Sequence, residues 1–322
     1  MSYSSNNTIG YDQKDSQFSE WTIYLSITQA INAILLGLMV WILGSVVGYG
    51  ISRRIFTLKT KRGKLHIACT AAMITLCPRL LLNQVYFHLP DLPNALEKCE
   101  VLADISNASC ALGIGATYGF LWLRQRTIYT HQIIRGITKR WIDVLSRFSI
   151  LIMILGTCIF VFFYVIPPSY ESNGHFCIGM KIENMPANFR KWATVKRYAV
   201  GSAMLFYQIL TLLLFVYPMI RCKLANKKSN NSSHDIIHET IRRSLITAIV
   251  AVLSDIVALL ILGVLPWGSP LLVTDVVYNI SCFINACCIV LSFRNPRNIF
   301  FFTIKKILAA VPENSQIQIT MK

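Results

Sequence analysis

The stretch ISNASCALGIGATYGFLWLRQR, residues 105–126, holds nineteen uncharged residues followed by two arginines within three positions. A helix needs about 20 mostly apolar residues to cross the hydrocarbon core of a bilayer. Arginine is favoured where such a helix reaches the cytoplasmic headgroups. The stretch therefore predicts a transmembrane helix that ends at Arg124.

The same pattern recurs along the chain. Its 322 residues are 54% hydrophobic and only 14% charged, with a mean hydropathy of +0.51, whereas a soluble domain has about 25% charged residues. We predict an all-α, multi-pass membrane protein without a separate soluble domain. Seven spans are predicted, near residues 25–51, 65–87, 100–123, 148–167, 198–220, 244–265 and 272–293.

Basic residues are distributed unevenly among the predicted loops. Of the 31 lysines and arginines, 23 lie on the face that carries the C-terminus. Cytoplasmic loops are enriched in Lys and Arg, so we expect a plasma-membrane protein with its N-terminus outside and its C-terminus in the cytoplasm. The net charge of +16 then reflects topology and lipid contact, and not nucleic-acid binding. The chain divides into an extracellular tail (1–22), a bundle (23–293) and a cytoplasmic helix and tail (294–322).

Residues 291–308, LSFRNPRNIFFFTIKKIL, predict a short helix along the cytoplasmic membrane surface. Asn295 can N-cap this helix, and Pro296 suits its first turn. Apolar residues fall on one face and lysines on another, which is typical of an interfacial helix. The predicted apolar face consists of Phe300, Ile304, Ile307 and Leu308.

Only two of the ten cysteines, Cys99 and Cys177, fall on the predicted outer face. A pair of cysteines on the oxidising side of a membrane is a disulfide candidate, and two unpaired thiols are the alternative. The bridge would fold the loop 167–197 across the mouth of the bundle. Asn6, in the sequon Asn-Asn-Thr of the outer tail, is the predicted glycosylation site.

This organisation resembles the rhodopsin-like class of G-protein-coupled receptors and related seven-transmembrane chemoreceptors. In that class a cystine ties the top of span three to the second outer loop, and a switch arginine follows the cysteine by 25 residues. Cys99 and Arg124 have this spacing. The sequence departs from the class at Leu123 and Gln125, which flank the arginine in place of an acidic residue and a tyrosine, and in having no aspartate in span two.

The resemblance implies a receptor that binds an extracellular ligand in the outer half of the bundle and signals through a heterotrimeric G protein. We expect no enzymatic activity, because the predicted spans contain only one histidine, His66 near an end, and we expect no cofactor or metal. A homo- or heterodimer stays open. The residues that would meet the G protein are Arg124, Arg126, Arg242 and Arg243. Since position 123 is not acidic, the resemblance also implies weak locking of Arg124.

Arg79 lies inside the second predicted span, where a charged side chain is expensive. Its depth, roughly 9 Å from the outer edge, is close to that of Asp104 on span three. We therefore expect Arg79 to face the bundle and to pair with Asp104 or Glu100. The pair would line a polar ligand pocket or serve only as a structural salt bridge. Asp275 is expected at the membrane interface.

Asp255 lies near the middle of span six and has no helical-spacing partner on that span. It should point inward, toward water or toward an amide such as Asn285 or Asn107. We expect Asp255 to belong to an inter-helix switch or to the floor of the pocket.

A small transporter or ligand-gated channel is the alternative function, with Arg79, Asp104 and Asp255 as a charge relay. Against it, transporters usually show internal repeats, and none is visible in this sequence. The histidines in HDIIHET, residues 234–240, have the spacing of two zinc ligands but lack a third. We expect this segment to be a cytoplasmic helical extension of span six.

Overall fold

The structure is a computed structural model that describes residues 9–57, 59–86, 95–130, 136, 139–165, 170–172, 177–179, 187–226, 233–264, 271–293 and 295–304.

Seven long helices make up most of the described chain. They are α1 (Ile9–Ser52), α2 (Lys61–Tyr86), α3 (Ala95–Tyr129), α4 (Arg140–Val165), α5 (Ala187–Asn226), α6 (Ser233–Val264) and α7 (Leu271–Leu291). A short helix, α8 (Pro296–Phe300), follows. Between α4 and α5, strand β1 (Tyr170–Ser172) pairs antiparallel with strand β2 (Cys177–Gly179). The predicted helical fold is therefore confirmed, and this hairpin is the departure from an all-α chain.

Six of the described helices are long and apolar enough to cross a membrane, and they agree with six of the predicted spans. The chain thus has the helices of a multi-pass membrane protein. α3 is outside this set because its central part is rich in small and polar residues. The qualifying segments are Ile23–Ser52, Lys61–Val85, Arg140–Ile159, Gly201–Pro218, Ile241–Ile261 and Thr274–Leu291.

The long helices contact one another in chain order, and α7 contacts α1, so that the contacts close into a ring. α3 contacts α2, α4, α5 and α7. Met39, Met73, Phe120 and Phe215 are at most 1% exposed, and they extend this core over α1, α2, α3 and α5. A polar segment within α3 is tolerated because these neighbouring helices shield it from lipid.

Two helices begin earlier than their predicted spans. α1 begins at Ile9, so helix continues through much of the segment 1–22 that was predicted as a tail. A polar segment can extend a helix beyond the bilayer, because outside the hydrocarbon region the backbone is not restricted by lipid. α6 begins at Ser233, which confirms the helical extension predicted at residues 234–240.

α1 ends in a Schellman motif. The Ile55 N–H donates to the Gly50 carbonyl at 2.9 Å, and the Arg54 N–H donates to the Ile51 carbonyl at 3.0 Å. Arg54 has a φ of 50°, the left-handed conformation that glycine usually supplies at this position. The chain therefore turns sharply from α1 toward α2 at a residue that bears a β-carbon.

A group of rings surrounds His66 at the start of α2. His66 Nε2 donates to the Val46 carbonyl of α1 at 3.0 Å. The ring centroids of Phe56, Phe293 and Tyr49 lie 5.1, 6.0 and 6.3 Å from that of His66. We call these five residues the His66 box; it joins α1, the α1–α2 turn, α2 and the end of α7.

The α8 region is helical, as predicted, but its buried face differs. Asn295 stands at the N-cap position without a side-chain cap hydrogen bond. Ile299 is the residue that is buried, while Phe300 is half-buried and Ile304 is 40% exposed. The face is rotated because the helix packs against α1, where Phe300 approaches Trp41 at 6.5 Å between ring centroids. The other two residues of the predicted face, Ile307 and Leu308, lie outside the described residues.

Candidate functional site

A carboxylate on α6 receives hydrogen bonds from three other helices. Asp255 Oδ1 accepts from Ser281 Oγ at 2.6 Å and from Asn285 Nδ2 at 2.8 Å, both on α7. Asp255 Oδ2 accepts from the Tyr118 hydroxyl of α3 at 2.6 Å and from Gln208 Nε2 of α5 at 3.5 Å. We call these five residues the Asp255 cluster. It connects α3, α5, α6 and α7 through one side chain.

Sequence reasoning anticipated part of the Asp255 cluster. Water, Asn285 and Asn107 were the predicted alternatives for the partner of Asp255, and the hydrogen bond with Asn285 is present. Asn107, the other amide considered, is half-buried on α3 and not free of partners. The neutral donors on α3 and α5 were missed, although an uncharged polar residue such as Gln208 inside a predicted span is itself a signal of an inward-facing site.

The Asp255 cluster borders a cavity within the ring of helices. Asp255, Gln208, Tyr118 and Asn285 line it, and Met204 contributes an apolar part of the wall. The empty space of the cavity is about 430 Å³ when the open space at its mouth is counted, but its interior holds only about one or two water-sized groups. A polar group that enters from outside would therefore meet the groups that hold the four helices together.

Arg79 of α2 is the centre of a second buried cluster. Its guanidinium donates to Asp275 Oδ1 at 2.8 Å, to Asn279 Oδ1 at 3.1 Å and to the Ser106 carbonyl of α3 at 3.4 Å. Asn279 in turn donates from Nδ2 to Asn32 Oδ1 of α1 at 2.8 Å. We call these residues the Arg79 cluster. The guanidinium lies 5.3 Å from the ring centroid of Tyr278, over its face.

The partner of Arg79 differs from the prediction. Arg79 faces the bundle as expected, at 2% exposure, but among the described side chains its ion pair is with Asp275 and not with Asp104. Asp275, which was expected at the membrane interface, is only 5% exposed and is therefore buried in the bundle. Depth along a helix could be read from the sequence, whereas the choice between α3 and α7 depends on helix rotation. Asp104 is half-buried and not free of partners, and the Glu100 side chain lies outside the described residues.

Arg124 connects three helices near the opposite end of α3. Its Nε donates to Ser244 Oγ of α6 at 2.8 Å, and its Nη2 donates to the carbonyl of Ser292, just after α7. We call this arrangement the Arg124 bridge. Arg124 is 7% exposed, so the guanidinium lies inside the bundle. The next residue, Gln125, donates to Ser146 Oγ of α4 at 3.0 Å.

The other arginines predicted for coupling have different surroundings. Arg126 pairs with Asp143 of α4 at 2.7 Å. Arg242 is exposed on α6. Arg243 pairs with Glu239 one turn earlier on the same helix. Arg242 and Arg243 therefore lie on α6 itself, and Arg124 contacts α6 through Ser244. Arg126 belongs instead to the contact between α3 and α4.

The side chains of the predicted disulfide and glycosylation site lie outside the described residues. Cys99 lies on α3 and Cys177 on β2, but the side chains of both, and all of Asn6, lie outside the described residues. The backbone shows that β1 contacts α3 and β2 contacts α7. The hairpin therefore joins two helices of the ring.

No family model matches the chain, and no curated protein is significantly similar to it in sequence. Within the described ranges, no three His, Cys, Asp or Glu side chains are grouped as metal ligands would be. The chemistry that the described side chains offer is hydrogen bonding and ion pairing between helices. Function is therefore inferred from the two buried clusters and the Arg124 bridge.

Proposed function

We propose that the protein is a G-protein-coupled receptor of the plasma membrane that crosses the bilayer seven times. α3 is the additional span beside the six apolar helices. The N-terminus is extracellular, an extracellular ligand enters the outer part of the bundle, and a heterotrimeric G protein binds at the cytoplasmic face. The family resemblance of the sequence and the ring of helix contacts support this proposal.

The Arg124 bridge is the observation that carries the proposal. A buried guanidinium on α3 is hydrogen-bonded to a side chain of α6 and to the carbonyl that follows α7. Hydrogen bonds from a charged donor are stronger than neutral ones, so the bridge favours the packing in which Ser244 of α6 stays within hydrogen-bond distance of Arg124. A displacement of α6 removes the Ser244 contact and exposes the guanidinium to a cytoplasmic partner.

The Asp255 cluster supplies the connection to the ligand. It lies on the same helix, α6, about three turns from Ser244, and it borders a cavity. A ligand that interacts differently with the two packings of α6 shifts their populations by that difference in affinity. The receptor then signals because one helix carries both the ligand-responsive carboxylate and a partner of Arg124.

The test uses cells that express the full chain together with dissociation sensors for several G-protein classes. Wild-type receptor is expected to change at least one sensor above mock-transfected cells, either at rest or during a ligand screen. Arg124→Ala should abolish this signal at equal surface expression. Arg53→Ala removes an exposed arginine after α1 and should leave the signal intact. Ligand-evoked currents without any sensor response would contradict the proposal and favour a channel.

Orientation has a separate test. An extracellular N-terminus makes the sequon at Asn6 accessible to glycosylation, so glycosidase treatment should increase gel mobility. Asn6→Gln should remove this shift, and Asn230→Gln, in the segment that the proposal places in the cytoplasm, should not. Glycosylation that persists in Asn6→Gln and disappears in Asn230→Gln would reverse the proposed topology.

A further inference from the structure

The cavity beside Asp255 has an unusual polar lining. Two buried amides, Gln208 at 0% exposure and Asn285 at 6%, use their nitrogens to donate to Asp255. Their oxygens, Gln208 Oε1 and Asn285 Oδ1, have no hydrogen-bond partner among the described residues. Rotating either amide would place its oxygen against the carboxylate, so the orientation with free oxygens is the favourable one.

Three hydroxyls of this lining are already engaged as donors, and Tyr278, which also lines the cavity, is not free of partners. The Tyr118 and Ser281 hydroxyls both donate to Asp255, and the Thr117 hydroxyl donates to the Gly113 carbonyl. The unused capacity of the cavity is therefore that of acceptors. Buried acceptors without partners carry a desolvation penalty, and a ligand with several hydrogen-bond donors would remove that penalty.

The charge of the cavity lining favours the same kind of ligand. In the part of the chain that the structure describes, no lysine or arginine forms an ion pair with Asp255. Arg79, a buried cation on α2, is paired with Asp275 instead. The carboxylate is stabilised by neutral donors alone, so the cavity favours a positively charged group over a neutral one.

The size of the cavity limits the group that fits. Its interior has room for about one or two water-sized groups, which suits a primary ammonium and not a larger head. A second, mainly apolar cavity lies between α3, α4 and α5 and encloses about 490 Å³ with its opening. Ile114, Tyr118 and Met204 line both cavities, so the two are adjacent across these side chains.

We propose that the protein binds a small primary amine with a short apolar body. The ammonium group donates to Gln208 Oε1 and Asn285 Oδ1 beside the Asp255 carboxylate, and the carbon chain lies between α3, α4 and α5 past Tyr118. This inference rests on the proposed receptor function and names the chemical class of its ligand. Binding of the amine would affect the packing of the helices, because the ammonium competes for the carboxylate that accepts hydrogen bonds from Tyr118 and Asn285.

The test measures binding to the purified full chain in lipid nanodiscs, without any G protein, so that its outcome is independent of coupling. n-Butylamine should raise the thermal unfolding midpoint of wild type in a saturable way, whereas 1-butanol at equal concentration should not. Asp255→Asn keeps the size of the side chain but removes its charge and replaces one acceptor oxygen with a donor, and it should lose the response. An equal response to 1-butanol, or a full response in Asp255→Asn, would overturn the proposal.

Sodium distinguishes an ammonium from a simple inorganic cation. The wild-type midpoint is measured in sodium chloride and in choline chloride at one ionic strength. A stabilisation by sodium that depends on Asp255, without any by n-butylamine, would replace the amine site with an ion site. A midpoint of Asp255→Asn near that of wild type in buffer shows that a lost response is not misfolding. If that midpoint is much lower than that of wild type, the chain-length series in wild type and Gly156→Leu decides the proposal.

The proposed position of the carbon chain in the second cavity is tested by varying the length of the n-alkylamine. Gly156 lines the second cavity, and a β-carbon there meets no atom within 4 Å. Affinity for n-alkylamines should increase about fourfold per buried methylene in wild type, and Gly156→Leu should stop this increase at a shorter chain. Gly37→Leu makes the same change on an exposed face of α1 and should follow wild type. Identical chain-length profiles in all three proteins would refute the proposed position of the carbon chain.

Discussion

Arg79 on α2 and Asp275 on α7 form an ion pair of 2.8 Å in which the side chains are only 3% and 7% exposed. Removing one member leaves the other charge buried without its partner, which typically costs about 3–5 kcal/mol. We expect Arg79→Ala and Asp275→Ala each to lower the thermal unfolding midpoint strongly, and the double variant to lose less than the sum. Arg147→Ala, which breaks a pair whose arginine is 65% exposed, is the control and should lose about 1 kcal/mol or less. Additive losses would show that the pair is not coupled.

Ser244→Ala removes one acceptor of the Arg124 bridge and leaves the arginine in place. A hydrogen bond to a charged group contributes about 1.5–3 kcal/mol, so its loss should raise basal G-protein activation by about tenfold or more if the bridge favours the inactive packing. The measurement is the ligand-free sensor signal per copy of the protein at the cell surface, and it depends on the proposed coupling to a G protein. Ser202→Ala is the control, because this exposed serine donates to the Ala199 carbonyl of its own helix. Basal activity that falls in Ser244→Ala would assign the bridge to the active packing.

Tyr118→Phe deletes the hydroxyl that connects α3 to Asp255. Because that hydroxyl donates to a carboxylate, its loss should cost about 1.5–3 kcal/mol. Tyr129→Phe is a matched comparison on the same helix, since the Tyr129 hydroxyl donates to the neutral Leu214 carbonyl at 2.9 Å, and it should cost about 0.5–1.5 kcal/mol. Thermal unfolding of both variants in nanodiscs gives the order. The reverse order would indicate that Asp255 carries little charge in the resting protein.

The predicted bridge between Cys99 and Cys177 closes a loop of about 80 residues, for which the chain-entropy model gives roughly 4 kcal/mol. Peptide mapping without reductant should recover the two cysteines in one linked peptide. Cys99→Ser and Cys177→Ser should be equally destabilised, and the double variant should be no worse than either. Cys158→Ser, at an exposed cysteine of α4 that is free in the structure, should behave as wild type. Recovery of both thiols in free form would exclude the bridge.

Arg54 is the residue with positive φ at the end of α1. A left-handed conformation costs a residue with a β-carbon about 1–2 kcal/mol, and replacement by glycine removes this cost. Part of the gain in stability is offset, because glycine makes the unfolded chain more flexible. Arg54→Gly should therefore raise stability by up to about 1 kcal/mol. Arg54→Ala removes the same charge but keeps the β-carbon, so it should not stabilise. Equal effects of the two substitutions would mean that charge, and not backbone conformation, decides stability at this turn.

The helices could be predicted from the sequence because the bilayer imposes a length and excludes charge, and both constraints act on composition alone. The inward direction of Arg79 and Asp255 followed from the same exclusion. The partners of these residues depend on how far each helix is rotated about its axis, and uncharged spans leave that rotation undetermined. Asp275 was therefore assigned to the interface although it completes the pair with Arg79.

The Arg124 bridge could likewise be predicted only in part from the sequence. Family resemblance drew attention to Arg124 through its spacing from Cys99, and burial of the arginine agrees with an internal position. Its acceptors are a serine hydroxyl and a backbone carbonyl, groups so common in sequences that neither stands out. The absence of an acidic residue at position 123 suggested a loosely held arginine, whereas the structure supplies neutral acceptors from α6 and the end of α7.

The His66 box has a consequence for how such a molecule could move. Three aromatic rings, in edge-to-face or tilted contact with His66, and one hydrogen bond to the backbone hold the end of α1, the start of α2 and the end of α7 together. Such ring pairs contribute about 0.5–1.5 kcal/mol each beyond the area that they bury. This side of the protein forms a rigid reference frame. Spectroscopic labels placed within it should keep constant separations, and displacement measured against it should be concentrated at the far wall, where α5 and α6 meet.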